Sequence, residues 1–413
     1  MTTPHTPRLT RPLYARGPIV LAIGLLLATF TGTPAADAMG VCPAVPIVTA
    51  TADSGPGSLR QAIVDACATD TITFAPGIGP SIDLTSGELV IDKDLTITGP
   101  GAKLLTVQRA TSAPFRIFHI LPGHEVTIKD VTIANGLATG LWPLKVGGGI
   151  YNDGSTLTVE RAALSHNAAP DVNGGSGGAI QNSAETAGAS LTIVESTLND
   201  NTAGIGGGAV ASISGAGFTA FLTISNSTVS GNSGGDTGGL LVDQPDGVST
   251  ATITNATITG NHATFPGTRV GGLRAVVGTT VTVHNSIIAG NITDNAPTAI
   301  AADVDGRLDS SSANNLVGDG SGMTGIADSS NGNQVGSAGS PIDPRLGLLA
   351  DNGGPTFTHA LLAGSPALDA GKNTLVVGLT DQRGGFFARI VDGAAGDSTP
   401  TVDIGAVEAN PSI

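Results

Sequence analysis

Few side chains of this 413-residue sequence are suited to contact or cleave a carbohydrate. Cleavage needs converging carboxylates, or an acidic cluster with a base, and sugar sites usually also present aromatic rings. After residue 38 the sequence holds one Trp and one Tyr, while two Arg flank a glycine pair and two Asp precede them in the neighbouring repeat. The candidates for glycan contact are Trp142, Tyr151, Asp243, Asp246, Arg269 and Arg274.

Each of these candidates also has a purely structural interpretation. The Asp and Arg residues can form surface ion pairs, and the two aromatic rings can pack over a loop. No two carboxylates take the same position in adjacent repeats, the histidines lack the spacing of a zinc site, and residues 392–397 lack the dense oxygen ligands of a calcium loop. We therefore expect no metal and no cofactor, and the sequence favours a non-catalytic role while leaving catalysis open.

Five asparagines recur at one position of successive repeats. An asparagine tolerates a left-handed turn, and its amide can hydrogen-bond to neighbours above and below, so we interpret the row as a structural ladder. A ligand-binding row of amides is the alternative, and it is disfavoured because stacking satisfies the same polar groups internally. The row consists of Asn167, Asn201, Asn232, Asn261 and Asn291.

These side chains are carried by a repeat of about thirty residues. An eleven-residue block with the pattern apolar, Thr, apolar starts at six positions that lie 31, 34, 31, 29 and 30 residues apart. Its third position is β-branched, which is typical of strands, and a glycine pair recurs half a period out of phase. Two strand-and-turn markers per period predict an all-β fold, a right-handed parallel β-helix with apolar side chains inside. The blocks start at Val126, Leu157, Leu191, Leu222, Ala251 and Val281.

Composition agrees with a solenoid and excludes some partners. Sixty glycines and a mean hydropathy of +0.22 suit tight turns and small inward side chains better than disorder. Without the first 38 residues, 15 basic residues stand against 32 acidic ones. The clustered Lys and Arg that nucleic acid and anionic membranes require are absent, so we expect neither as a partner.

The N-terminal residues 1–38 have the pattern of a secretory signal peptide. Three arginines precede an apolar run at residues 18–30, and Ala36-Asp37-Ala38 offers a small-residue cleavage site. The run is too short to span a bilayer, and no later segment reaches the length of a transmembrane helix. We expect export to the cell surface or the medium, and a retained N-terminal anchor is the alternative.

A cap for the first coil is predicted at residues 39–70. Ser58 and Gln61 form a capping box at the start of a short amphipathic helix, which we expect to lie across the first coil. Cys42 and Cys67 are the two cysteines, and in an oxidising compartment two cysteines most simply form a disulfide.

Motifs at both ends resemble known families. Residues 48–63 resemble an N-terminal motif of secreted bacterial β-helix proteins, and Gly177-Gly178-Ala179-Ile180 matches a repeat motif of polymorphic outer-membrane proteins. Six ordered motifs follow near the C-terminus: Asp343-Pro344-Arg345-Leu346-Gly347, Asp351-Asn352-Gly353-Gly354-Pro355-Thr356, His359-Ala360-Leu361-Leu362, Ser365-Pro366-Ala367-Leu368-Asp369-Ala370-Gly371, Asp381-Gln382-Arg383-Gly384 and Asp403-Ile404-Gly405-Ala406-Val407-Glu408. Together they resemble the choice-of-anchor Q domain, within the pectate-lyase-like β-helix superfamily. The resemblance implies a secreted or cell-surface protein of unassigned biochemical role.

We therefore expect a signal peptide at 1–38, a cap at 39–70, β-helix repeats at 71–300, and a region at 301–413 that continues and caps the solenoid. The expected function is a non-catalytic, adhesive or structural role in which a monomer presents a repetitive face to an extracellular glycan or protein. The alternative is a secreted polysaccharide lyase or glycoside hydrolase, because fold does not decide between the two. The sequence leaves anchoring open, since residues 410–413 have neither a hydrophobic tail nor a basic stop.

Overall fold

The computed structural model describes residues 46–265, 270–295, 298–391 and 399–409. Within these ranges the chain forms a parallel β-solenoid of about nine turns. The helix content is only 3%. The all-β, parallel β-helix class that the repeat spacing predicts is therefore confirmed.

Several predictions concern residues outside these ranges. They are the signal peptide at 1–38, the partner cysteine Cys42, Arg269 and the turn at 392–397. The bridge between Cys42 and Cys67 accordingly stays a prediction. Among the described residues, no helix is both long and apolar enough to cross a membrane.

The strands are short, and most hold two to five residues. In chain order they are β1 (Ile47–Val48), β2 (Asp70–Phe74), β3 (Ser81–Leu84), β4 (Leu89–Ile91), β5 (Leu95–Thr98), β6 (Thr106–Arg109), β7 (Phe118–Ile120), β8 (Glu125–Lys129), β9 (Thr132–Ala134), β10 (Ile150–Asp153), β11 (Thr156–Glu160), β12 (Ala163–Ser165), β13 (Ala168–Ala169), β14 (Ile180–Ala184), β15 (Ala189–Val194), β16 (Thr197–Asn199), β17 (Thr202–Ala203), β18 (Val210–Ser214), β19 (Thr219–Ser230), β20 (Ser233–Gly234), β21 (Leu240–Asp243), β22 (Val248–Thr259), β23 (His262–Ala263), β24 (Leu273–Ala275), β25 (Thr280–His284), β26 (Ile287–Ile288), β27 (Ile292–Asn295), β28 (Thr298–Ala301), β29 (Val304–Arg307), β30 (Leu316–Val317), β31 (Met323–Thr324), β32 (Gln334–Val335), β33 (Leu346–Ala350) and β34 (Thr358–Leu361).

Helix α1 (Leu59–Asp65) has one half of the capping box that its sequence predicts, since the Gln61 side chain donates to Asp65 rather than bonding back to Ser58. The Ser58 hydroxyl accepts a hydrogen bond from the Gln61 backbone N–H at 3.1 Å. Leu59 and Ile63, four residues apart, are buried in the same apolar core as the first strands. The short helix is thus held by packing of one face rather than by helix propensity.

Three sheets run along the solenoid, with 17, nine and six strands, and their pairings are parallel except that of β28 with β27. Each strand pairs with its equivalent one coil later, as β8, β11 and β15 do in unbroken register. Equivalent aliphatic residues therefore stack, and Leu157, Leu191 and Leu222 are all buried. Each such side chain contributes roughly 1.5–3 kcal/mol relative to an exposed one, so the column is stable only as a stack.

A sharp corner divides the largest sheet in every coil. One residue there has left-handed backbone geometry, with φ between 44° and 57°. Its equivalents take the same position in seven successive coils, and we call them the corner row. The corner row is Asp130, Arg161, Glu195, Asn226, Asn255, Asn285 and Asn314.

The five asparagines expected to form a ladder point into the column and are fully buried. Each side-chain nitrogen donates to the side-chain oxygen of the asparagine one coil later, at 2.8–3.0 Å. We call this row the inner ladder. It ends on a carboxylate, because Asn291 donates to Asp303 at 2.8 Å. The left-handed residue of this turn is not the asparagine but the residue before it, such as His166 or Gly231.

The C-terminal region both extends the solenoid and runs back along it. Strands β29 to β32 continue the parallel pairing as far as Val335. Residues 342–391 and 399–409, which we call the C-terminal segment, then lie along the outside, including an antiparallel hairpin of β33 and β34. Hydrogen bonds join the segment to coils from Asn314 back to Glu195. A segment that the sequence placed at the end of the column therefore covers its side, a difference that local strand patterns do not reveal.

Candidate functional site

The six residues proposed for glycan contact do not form one cleft among the described residues. Tyr151 and Arg274 share a row of the nine-stranded sheet but lie on β10 and β24, with three strands between them. At a strand spacing of ~4.8 Å this puts their backbones about 19 Å apart. Arg269 is outside the described residues.

Ion pairing and turn formation account for the members of this set on the later coils, Asp243, Asp246 and Arg274. The Arg274 guanidinium lies 3.5 Å from Asp236 and 3.4 Å from Asp305. The Asp243 carboxylate accepts a hydrogen bond from the backbone N–H of Gln244 at 2.8 Å. Asp246 is exposed. The arrangement is that of surface charges rather than of a catalytic pair.

Trp142 and Tyr151, on an earlier coil, lie beside a different group of residues. Tyr151 is 2% exposed and stacks on His119 of the preceding coil with ring centroids 5.0 Å apart. The Arg116 guanidinium lies 4.9 Å from the centre of the Tyr151 ring and donates to the Pro143 carbonyl, beside Trp142. Trp142 itself is 48% exposed.

Carboxylates complete this group, which we call the histidine cluster: Glu88, Arg116, His119, Tyr151 and Asp153. Glu88 lies 3.0 Å from the Arg116 Nε and 3.3 Å from the His119 Nδ1. On the other side of the imidazole, Asp153 lies 3.9 Å from Nε2. The side chains of His119, Glu88 and Asp153 are 16%, 25% and 18% exposed, so only this edge of the cluster meets solvent.

The environment of the histidine cluster sets its protonation. Burial lowers the pKa of His119, but the nearby carboxylates of Asp153 and Glu88 outweigh burial, so the pKa lies above its usual value. Burial raises the pKa of Glu88, yet His119 and Arg116 lower it further, and its net shift is downward. Burial raises the pKa of Tyr151. Near neutral pH the cluster thus holds an ionised Glu88, a protonated phenol and a histidine that readily keeps its proton.

Chemically, the histidine cluster can donate a proton from its His119 edge. Two buried donors near it, Nη1 of Arg116 and Nε2 of Gln181, form no hydrogen bond with any described residue. Gln181 is the equivalent of Tyr151 one coil later. No group of three or more His, Cys, Asp or Glu in the described ranges is arranged to hold a metal.

Sequence reasoning identified Tyr151 and Trp142 but missed Glu88, Arg116 and His119. These three precede Val126, where the eleven-residue block is first recognisable. One signal was available: His119 and Tyr151 lie 32 residues apart, which is one coil, and each follows an apolar strand residue.

A second group of charges lies within the C-terminal segment. The Arg389 Nη1 lies 3.3 Å from Glu408, and both side chains are 1% exposed. Backbone N–H groups of Glu408 and Asp403 donate to Asp381 and Glu408, at 2.9 Å and 3.0 Å. Burial raises the pKa of Asp403 to about 6. Because these charges are buried and bound to backbone, they hold the loops of the segment together.

A row of threonines is a regular feature on the outside of the solenoid. Eight threonines take equivalent positions in eight paired strands, and none of their hydroxyls forms a hydrogen bond with another described residue. At ~4.8 Å per strand the row is about 34 Å long. The row is Thr71, Thr96, Thr127, Thr158, Thr192, Thr223, Thr252 and Thr282.

A second row runs beside it, two residues earlier in each strand. It holds three threonines, one serine and one phenylalanine over five coils, so neither row carries a charge there. We call the two rows together the threonine face. Its second row is Thr156, Ser190, Phe221, Thr250 and Thr280.

Comparison with known proteins adds no assignment. A scan against protein-family models finds no model that matches the chain, and a search of curated proteins finds no match.

Proposed function

We propose that the protein is an exported β-solenoid that binds an extended extracellular partner through its threonine face, without converting it chemically. The observation that carries this proposal is the uninterrupted row of eight threonines, which no described part of the chain covers. Threonine is also favoured on strands, but that preference alone explains only part of the pattern, since it does not require one residue type in eight successive coils.

The chemistry of the threonine face favours a neutral polymer that runs parallel to the solenoid axis. Each coil offers one methyl and one hydroxyl at the same spacing, so many weak contacts add along the row. Cationic polymers and nucleic acid are disfavoured, since the last five coils of the face offer neither carboxylates nor basic groups in these two rows.

Export is proposed on the pattern of residues 1–38, and it is consistent with the family resemblance of the C-terminal motifs. These motifs resemble the choice-of-anchor Q domain, whose members are secreted or held at the surface. Fractionation of cells that express the full chain tests this point. The protein should appear at the surface or in the medium, shortened by about 38 residues.

The binding proposal is tested with the purified protein and a panel of insoluble polysaccharides. The double variant Thr192→Glu/Thr223→Glu should lose retention on the polymer that binds the wild type, because two charges on the face require desolvation. Val172→Glu adds one such charge on a loop at a residue that is 61% exposed, and it should leave retention unchanged. Equal loss in both variants, or full retention by the double variant, would refute the proposal.

A second candidate function is glycan cleavage, which one observation favours. The histidine cluster gathers five ionisable groups in a chain with only 12% charged residues. If this function holds, incubation with the bound polymer should release oligosaccharides, and His119→Ala should abolish the release. Release of product by the wild type would contradict the non-catalytic role, whereas its absence over the whole panel would contradict cleavage.

A further inference from the structure

A cavity of about 260 Å³ lies between the solenoid and the C-terminal segment. Its floor is the outer side of β9, β12 and β16, and its roof is formed by residues 355–357 of the segment. Pockets for drug-sized ligands measure ~300–1,000 Å³, so this cavity has room for one small ring rather than for a chain of rings.

The cavity has an apolar lining and one aromatic platform. Ala102 and Ala163 contribute methyl groups, and the ring of Phe357 is 45% exposed at the rim. The Lys103 ammonium also lines the cavity, but it is 2.5 Å from the Asp351 carboxylate. The two charges neutralise each other, and the site therefore favours a ligand without net charge.

Several polar groups at the cavity are still available for a ligand. The Ser165 hydroxyl and the His166 ring form no hydrogen bond with any described residue. The side-chain nitrogen of Asn199 donates to the Asp200 carboxylate at 2.7 Å, which leaves the side-chain oxygen of Asn199 as an acceptor. The threonine hydroxyls of the lining are different, since Thr132 donates to the Ala102 carbonyl at 2.6 Å and Thr197 donates to Phe357 at 2.5 Å.

We propose that this cavity is a binding site for a single neutral hexopyranose ring, and we call it the ring site. An apolar ring face would pack on Phe357, while its hydroxyls would meet Ser165, His166 and the Asn199 carbonyl. This combination of one apolar platform and several convergent polar groups suits a sugar, which has C–H faces and a polar rim. The ring site lies beyond the corner row from the threonine face, so the two can be tested separately.

The location gives the ring site a defined role within the proposed function. The choice of a sugar as its ligand rests on that proposed function. The C-terminal segment covers the outer side of the coils that follow Lys103 in the chain, and the uncovered coils begin beside Lys103. A chain end or side branch of a glycan could therefore enter the ring site from the open coils. The threonine face would hold the body of a polymer, and the ring site would recognise one residue of it.

The experiment is a titration of the purified full chain with free glucose, galactose and mannose, followed by saturation-transfer NMR. At least one of these hexoses should give saturation transfer from the wild type. Phe357→Ala should weaken its binding about tenfold, because the aromatic contact is lost. Phe386→Ala is the control: it removes an exposed ring from the same C-terminal segment but outside the cavity lining, and it should not change hexose binding.

Ser165→Ala provides a second variant that leaves the roof of the cavity intact, and it should also weaken hexose binding. Thermal unfolding of every variant shows that the chain is folded. The ring site is refuted if no hexose binds the wild type, or if the two phenylalanine variants behave alike. Failure of the threonine-face proposal has a different signature, since Thr192→Glu/Thr223→Glu then keeps full retention on the polymer while free hexose still binds the wild type.

Discussion

The inner ladder and the upper half of the corner row are both made of asparagines spaced one coil apart, yet they satisfy their amides in different ways. In the inner ladder each amide bonds to the next asparagine and to backbone carbonyls of the column. In the corner row Asn285 bonds to the N–H and carbonyl of Lys372, which belongs to the C-terminal segment. One set of amides is satisfied by the repeat itself, and the other by a distant part of the chain.

The earlier coils of the corner row, which hold Asp130, Arg161 and Glu195, support this distinction. Where the C-terminal segment bonds to the corner, the residues are Asn226, Asn285 and Asn314. In the coils below it the equivalent residues are charged, and Arg161 binds Asp130 at 2.8 Å. The left-handed geometry is the same in both halves. Residue type at the corner therefore changes to asparagine where the segment covers it, with Glu195 at the boundary, since its backbone carbonyl accepts a hydrogen bond from Thr356.

The largest expected effect comes from the inner ladder. Asn232→Ala removes five hydrogen bonds of a fully buried amide. We expect a loss of about 5 kcal/mol in the free energy of unfolding, at roughly 1 kcal/mol per bond. Denaturant unfolding should show this loss for the whole solenoid. A loss below 1 kcal/mol would mean that the ladder is not a main support of the column.

The carboxylate at the end of the inner ladder gives the next effect, which depends on pH. Burial raises the pKa of Asp303 from 3.8 to about 6. The folded state thus keeps a proton that the unfolded chain releases, so the stability from this group is complete below pH 3.8 and is lost as the pH rises to 6.

We expect this group to contribute a decrease of about 3 kcal/mol in total, of which about 2 kcal/mol falls between pH 4 and pH 6. Asp303→Asn does not titrate, and it should lack this part of the pH dependence. The measurement is the difference in unfolding free energy between wild type and variant at pH 4 and pH 6. A constant difference would contradict the raised pKa.

A smaller and local effect is expected in the corner row. Asn285→Ala removes two hydrogen bonds to Lys372, against five in the ladder variant, and we expect a loss of about 2 kcal/mol. Hydrogen exchange should quicken at the Lys372 N–H and its neighbours and stay slow in the strands. Faster exchange through the whole column would show that the segment and the solenoid unfold as one unit.

The threonine face should contribute least to stability. Thr223 is exposed and forms no hydrogen bond with any described residue, so Thr223→Ser should change the free energy of unfolding by less than about 0.5 kcal/mol. Thermal unfolding measures the change. A loss as large as that of Asn285→Ala would mean that the row serves the fold rather than a partner.

The sequence predicts those parts of the molecule in which one coil copies the next. The repeat can be aligned with itself. This alignment predicts the strand that contains Leu157, the buried aliphatic stack and the positions of Asn201 and Asn232. The cap of α1 follows from local chemistry at Ser58.

The parts it does not predict depend on contacts without a repeat. Gln382 donates to the Ser196 carbonyl across 186 residues, and no periodic pattern marks that pairing. The histidine cluster was missed for a related reason, since Glu88 and His119 belong to early coils in which the block is degenerate. Tyr151 was found through its residue type alone, and its burial could not be anticipated.

The C-terminal segment has one more consequence, for the evolution of length. A solenoid can gain or lose a coil easily, because each coil matches its neighbours and the stack alone does not fix the number of coils. Here the segment bonds to Asn314 near one end and pairs with Lys103 near the other, so its own length measures the distance between them. An inserted or deleted coil would put one of these attachment points out of reach, and the segment thus acts as a ruler that keeps the number of coils constant.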